Sequence, residues 1–424
     1  MPFKDAVLNC LPEDGGLYVP DQAADFRQFF LHMDEKTSFN ELVAAVSPSI
    51  LQGGLNPVSA VKVAQSAYDF SPELIEIDNG LALLNLYTGP TGVFKDFGIA
   101  FMSAMFEEFL KDGSHAMIIS TAKPDTGVSM SHAFSGRKGI LLVLLYPAGQ
   151  IRGLDPSNFV QNGGNIIPIQ VKGTFDDCQR LVVETIMDRD FSGRYKITSA
   201  NSMNLGRLFP QIFYYLYAFI QIKNHLCGDL VFSVPSGNLG NLVAGLYAWK
   251  FGMPVNGFIA AMNENNAIGD YILGKPYNPK PLVSTNSPAL DVSLPINYER
   301  LAFFYNESPA VMRNMVYPAS IDNQETLAAM KYVYEKYNAY IDPHTAVAFA
   351  AAQKKALEQK WDRHTYTVIL ASGHPARHAR MTEKATGKSI KIPESLRVQQ
   401  KKCDPVAVIP PQLDAFKSAI SGCF

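Results

Sequence analysis

The sequence predicts a layered α/β protein in which parallel strands alternate with helices. Three observations carry that prediction: unbroken apolar runs of strand length, helical stretches between them, and small-residue polar loops directly after several of the runs. The composition, 47% hydrophobic and 18% charged, is that of a folded globular chain. At 424 residues one hydrophobic core no longer suffices, so two or three domains are expected.

From about Met1 to Leu81, segments such as SFNELVAAVSPSIL and NPVSAVKVAQSAYDF repeat apolar residues at three and four, which predicts helices. Strands are then predicted at Ala116 to Ser120, Ile140 to Tyr146, Ile166 to Val171, Leu230 to Val234 and Thr367 to Ala371. The aromatic-rich run RLFPQIFYYLYAFIQIK between the third and fourth of these predicts a buried helix. No fixed-period repeat is visible, which argues against a solenoid.

Composition also narrows the function. A net charge of −2 with scattered Lys and Arg offers no stripe for a phosphate backbone, so nucleic acid is not an expected partner. Neither a membrane-length apolar run nor a secretory leader is recognisable, so no membrane partner is expected. The cysteines, Cys10, Cys178, Cys227, Cys403 and Cys423, are odd in number and far apart, as expected of reduced thiols in a cytoplasm. No HExxH or comparable ligand spacing predicts a metal, and there is no GxSxG elbow, Walker loop or GxGxxG fingerprint.

Ligands in open parallel sheets bind beyond the carboxyl ends of strands, so the loops there are the candidates. Val234-Pro-Ser-Gly-Asn-Leu-Gly240 leaves a strand and enters a helical pattern; its residues Ser236, Gly237, Asn238, Leu239 and Gly240 can converge N–H groups on a phosphate. The same segment also reads as a plain strand-to-helix turn. Lys95, among apolar residues after a Gly/Pro-rich turn, has the setting of a Schiff-base amine, though a lysine beside an aspartate also reads as an ordinary ion pair. The loop Ser120 to Gly127 supplies the hydroxyls of Thr121 and Thr126, with Asp125, for a substrate carboxylate or a cofactor hydroxyl; its alternative is a solvated turn. Ser372, at a strand end, can hydrogen-bond a neutral ring nitrogen.

Taken together these segments resemble one family. GPTGVFKDFG is similar to the threonine synthase lysine segment GPTLAFKDFG, and VPSGNLGN to that family's VPSGNFGD. DGGLYVP, GTFDDCQ, SANSMNLGR, the NEN run at Asn263 to Asn265, DPHTAVA and SGHPAR have similar counterparts in the same order, from about Asp14 to Arg377. The resemblance implies a fold type II, tryptophan-synthase-β-like enzyme that uses pyridoxal 5'-phosphate. It has two α/β domains behind an N-terminal helical extension: extension 1–80, large cofactor domain 81–99 with 191–424, small domain 100–190. It implies that Lys95 holds the cofactor and moves protons, that Ser236 to Gly240 cradle its phosphate, that Ser372 faces the pyridine nitrogen and that Asp125 lies near the ring hydroxyl.

The activity implied is conversion of O-phospho-L-homoserine and water to L-threonine and phosphate, in a cytoplasmic monomer or homodimer. Asn201, Ser202, Asn204 and Arg207, in SANSMNLGR, match the family's NSxNxxR and are the substrate-side candidates. Departures cluster around the substrate: the family's TSGDTG reads AKPDTG, placing Lys123 and Pro124 there, and KGKxSxLQEKQ reads AGQIRGLDPSN at Ala148 to Asn158. Arg152, Lys123 and Arg207 are then the cations left for a substrate phosphate. The alternatives are a phospho-lyase acting on a related amino acid, or a homologue that binds the cofactor without turnover.

Overall fold

The computed structural model describes residues 1–424 apart from 22–23, 52–53, 149–162, 360, 362–363, 399–403 and 423–424. Its strands are β1 (Glu73–Asp78), β2 (Leu81–Asn85), β3 (Ala116–Thr121), β4 (Ile140–Pro147), β5 (Ile166–Val171), β6 (Ile197–Thr198), β7 (Leu230–Pro235), β8 (Gly257–Met262), β9 (Val316–Ser320), β10 (Tyr366–Ala371) and β11 (Ala407–Ile409). They form a six-stranded sheet ordered β1-β2-β10-β7-β8-β9 and a five-stranded sheet ordered β11-β5-β4-β3-β6. All pairings are parallel except β1 with β2.

The five predicted strands are present, each to within a residue or so of the expected bounds. β3 and β7 are buried along their whole length, as strands covered by helices on both faces must be. The N-terminal helices also form. Ser38 and Glu41 close a capping box on Phe39–Ile50, and Asn56 caps Pro57–Ala67, whose proline takes the first helical position. Phe39 meets Phe97 edge to face, and Tyr68 packs at a tilt against both, seating these helices against the helix Lys95–Phe109.

Two expectations change. Helix does not continue to Leu81: Glu73–Asp78 and Leu81–Asn85 pair as a hairpin around Asn79 and Gly80, with Gly80 at φ +71°. Residues 407–409, which the resemblance grouped with the large cofactor domain, pair with β5 of the smaller sheet, and helix Leu413–Ser421 packs there through Phe416 and Ile420. β6 also joins that sheet, so neither sheet is one contiguous segment.

Candidate active site

The lysine segment follows β2. Its Phe94 N–H donates to the Ser372 carbonyl at 2.9 Å, and the His374 N–H to the Gly92 carbonyl at 2.9 Å, so the loop after β2 is zipped to the loop after β10, the adjacent strand. Inside the turn, buried Asp96 accepts hydrogen bonds from the Thr91 N–H at 2.8 Å and from the Thr91 and Ser129 hydroxyls at 2.6 Å each. Burial pushes its carboxyl up despite these bonds. Lys95 opens the helix Lys95–Phe109, and Gly98, one turn on, lets another backbone in: a Cβ there would lie 2.6 Å from the Arg207 carbonyl oxygen.

The Lys95 ammonium meets the smaller sheet through Asp125, in the first turn of helix Pro124–Phe134. Nζ lies 2.8 Å from Asp125 Oδ2, while Arg377 Nη2 takes Oδ1 at 3.0 Å and Arg377 Nη1 donates to the Thr91 carbonyl at 2.9 Å. Burial alone would raise the Asp125 carboxyl, but the Lys95 and Arg377 cations outweigh it and hold it well below the usual carboxylate range. Lys123 caps the same helix with its Nζ 5.0 Å from the Phe175 ring centroid. Burial first, and then repulsion from Lys95, lower its ammonium. Pro124 sits at the first helical position, and the N–H groups of Asp125 and Thr126 find no acceptor among the described residues.

The loop after β7 is built for an anion. Leu239, at φ +62°, is the backbone N-cap of helix Gly240–Lys250, which has no side-chain cap. The N–H groups of Gly237, Asn238, Leu239, Gly240 and Asn241 have no acceptor among the described residues, whereas the Ser236 N–H is spent on Ala261 at 2.7 Å. A Cβ on Gly237 would lie 2.9 Å from the Ala289 carbonyl, so no side chain fits there. Converging unpaired amides at a helix N-terminus suit a phosphate, so this chain fits the cofactor the sequence implies.

Ser372 is held from behind. Its N–H donates to Thr345 Oγ1 at 3.3 Å, and the Thr345 hydroxyl donates to Asp342, leaving the Ser372 hydroxyl without a protein partner among the described residues. Asp342 also binds His344 Nδ1 at 2.5 Å, and His344 Nε2 accepts from the Ala289 N–H at 3.1 Å. Both ring nitrogens of His344 are therefore committed, which makes Asp342 and His344 a hydrogen-bonded support, with the His378 ring packed edge-on against His344 at 5.0 Å between centroids. Burial and the neighbouring His344 push His378 down to about 4.

The substrate-side candidates divide. Thr121 and Asn201 bind each other through the Thr121 N–H at 2.9 Å and the Thr121 hydroxyl at 3.0 Å, tying the end of β3 to the segment after β6. Asn204 is fully enclosed: its side chain caps Leu205–Leu208, donates to Val7 and Ser199 carbonyls, and has no atom left for a ligand. Arg207 is buried, gives one Nη1 bond of 2.9 Å to the Ala200 carbonyl, and has no carboxylate partner among the described residues; burial lowers it to about 10. Ser202 lies by the phosphate loop, its Cβ 3.7 Å from where a Gly240 Cβ would stand. Arg152 lies outside the described residues. Arg377, Asp342 and Thr345 were not singled out by sequence, although SGHPAR and DPHTAVA, quoted above, contain them.

Comparison with known proteins agrees with this geometry. A family profile described as pyridoxal-phosphate dependent enzyme matches residues 72–373, and one described as threonine synthase N terminus matches residues 1–68. The threonine synthase of Serratia marcescens is 32% identical over 403 residues, covering 94% of this chain and 91% of that protein. The crystal structure of threonine synthase from Escherichia coli superposes with a TM-score of 0.89 at 29% identity, over 100% of this chain and 97% of that one. A PLP-bound threonine synthase from Brucella melitensis gives 0.88 at 26%, over 100% and 96%. With a lysine paired across two sheets beside an empty-handed row of amides, and with matches spanning nearly its whole length, this chain belongs to the threonine synthase family of pyridoxal-phosphate-dependent enzymes.

Proposed function

We propose that the protein converts O-phospho-L-homoserine and water to L-threonine and inorganic phosphate. The observation that carries this reading is the charge of the cleft. Lys95, Lys123 and Arg377 gather about Asp125, which two of them share, and unpaired amides open from both the 237–241 loop and the start of helix Pro124–Phe134. That arrangement suits two phosphates and a carboxylate.

The residues at 236–240 would hold the cofactor phosphate, Ser372 the ring nitrogen, and Lys95 the cofactor carbonyl. Bound there, pyridoxal phosphate supplies an electron sink for charge developing beside the amino group. A neutral serine at the ring nitrogen, rather than a carboxylate, tempers that sink. Lys95 Nζ is the base that moves protons at Cα and Cβ. Arg377 keeps Asp125 anionic when the lysine gives up its proton, so the amine returns to a prepared partner. Lys123 and Arg207 would bind the leaving phosphate and the substrate carboxylate. Such a reaction serves threonine biosynthesis, and the buried free thiols Cys10 and Cys178 support a cytoplasmic setting.

Purified protein given O-phospho-L-homoserine should release phosphate and threonine in equal amounts, and Lys95→Ala should abolish both. Phosphate with a keto acid in place of threonine would show a lyase instead. A protein that binds the cofactor and yields neither product would point to another substrate or to a non-catalytic role.

A further inference from the structure

Arg300 lies outside every motif that led to the site, yet it is completely buried. Its guanidinium makes four hydrogen bonds: Nε to the Tyr18 carbonyl at 3.0 Å, Nη1 to the Ser202 carbonyl at 3.2 Å and to Asn297 Oδ1 at 2.7 Å, and Nη2 to the Met203 carbonyl at 2.7 Å. None of these acceptors is a carboxylate. Glu299 favours the charge only weakly and from a distance, so a guanidinium taken out of water and hydrogen-bonded to neutral oxygens alone is costly, and it persists where an anion elsewhere repays it. Burial lowers this guanidinium to about 10, so it remains a cation at neutral pH.

Its bonds lead to the phosphate cradle from two directions. Asn297, whose Oδ1 accepts the Arg300 hydrogen bond, donates its backbone N–H at 3.2 Å and its Nδ2 at 3.1 Å to the Asn238 carbonyl. In a planar trans peptide the carbonyl of one residue and the N–H of the next point opposite ways. Turning the Asn238 carbonyl toward Asn297 therefore aims the Leu239 N–H away from it, on the side where the neighbouring amides are unpaired. From the other direction, Arg300 fixes the Ser202 and Met203 carbonyls, and Ser202 abuts Gly240.

We propose that Arg300 is a positioning residue for the cofactor phosphate: its charge, relayed through Asn297 and the Asn238–Leu239 peptide, orients and polarises the amide cradle. A chain of aligned hydrogen bonds in a dry interior passes that polarisation on more strongly than any one bond would. Tyr18, the fourth partner, ties the N-terminal segment to the same point. The proposal rests on reading residues 236–240 as the phosphate site.

The test compares two probes that differ only in the phosphate. The full chain, stripped of cofactor, is titrated with pyridoxal 5'-phosphate and with pyridoxal, following the absorbance of the lysine-bound form. Arg300→Met should weaken pyridoxal 5'-phosphate at least tenfold and pyridoxal less than twofold, with inorganic phosphate losing its ability to compete. Arg300→Lys, which keeps the charge, should recover part of the discrimination. Asn297→Ala, which cuts the relay and keeps the guanidinium, should reproduce the loss if Arg300→Met does not fold. Equal weakening of both probes in Asn297→Ala and in whichever Arg300 variants fold would overturn the proposal in favour of a plain scaffold role, as would no change in either. If the unaltered protein binds both probes equally, the phosphate-site reading itself falls, and the proposal with it.

Discussion

Asp125 is the point at which the two sheets exchange charge. Its depressed carboxyl fixes a pH dependence whose sign follows from linkage. A carboxylate held below its unfolded value by Lys95 and Arg377 contributes stability that is fully present above the unfolded value of about 3.9, and loses it as pH falls through the folded value. Removing the group with Asp125→Asn should therefore lower the urea midpoint by a constant amount from neutral pH down to about 4. Below that the wild-type and variant curves should converge. A gap that widened on acidification would mean that the ion pair is not what stabilises the unbound cleft. The same residue illustrates how much of the site could be foreseen. Asp125 and the 236–240 segment stood out because each follows a predicted strand, and Lys95 because it is a lysine among apolar residues after a Gly/Pro-rich turn. Arg377 and Arg300 were not, because an arginine acquires its role from acceptors far away in sequence, Asp125 for one and Tyr18, Ser202 and Met203 for the other.

The helix Gly240–Lys250 holds the cradle in place by lying close on the sheet. Gly245 permits that approach, since a Cβ there would stand 2.7 Å from Phe258 of β8 and 2.9 Å from Tyr215. Gly245→Ala should cost about 1–3 kcal/mol of stability by overpacking. It should also lower cofactor affinity, because the helix N-terminus moves with the helix; a calorimetric melt alongside a cofactor titration reads both effects. Legibility at this scale followed the chemistry of each strand. β3, β4, β5, β7 and β10 are aliphatic runs that sequence marks directly. β8, GFIAAM, and β9, VYPAS, were missed because small residues and an internal proline dilute the apolar signal, and their strand identity comes from the parallel pairing of each with its neighbour. The β1–β2 hairpin carried a readable Asn-Gly turn signal that the helical period of the preceding segment masked.

At the level of the molecule, the chain after Ala371 visits both sheets. Arg377 reaches the cleft, buried Leu396 lies against Gly92 in the lysine loop, and β11 with helix Leu413–Ser421 completes the smaller sheet, where Arg180 Nη2 donates to the Pro411 carbonyl at 2.8 Å. No described helix is long and apolar enough to cross a membrane. Phe416 is fully buried among Cys178, Leu181 and Val182, so Phe416→Ala should cost about 3–5 kcal/mol and lower the melting temperature. Loss of cofactor binding should accompany that melt if the smaller sheet carries Asp125 away with it, and an unchanged melt would show that the segment is not integral. A further consequence concerns synthesis. β5 is made long before β11, so on the ribosome its outer edge stays open through the addition of the whole β6 to β10 region. During that interval a free parallel edge is open to pairing with a neighbouring nascent chain. The edge of β2, which waits in the same way for β10, shares that exposure, so both sheets carry an edge that needs shielding while the protein is being made.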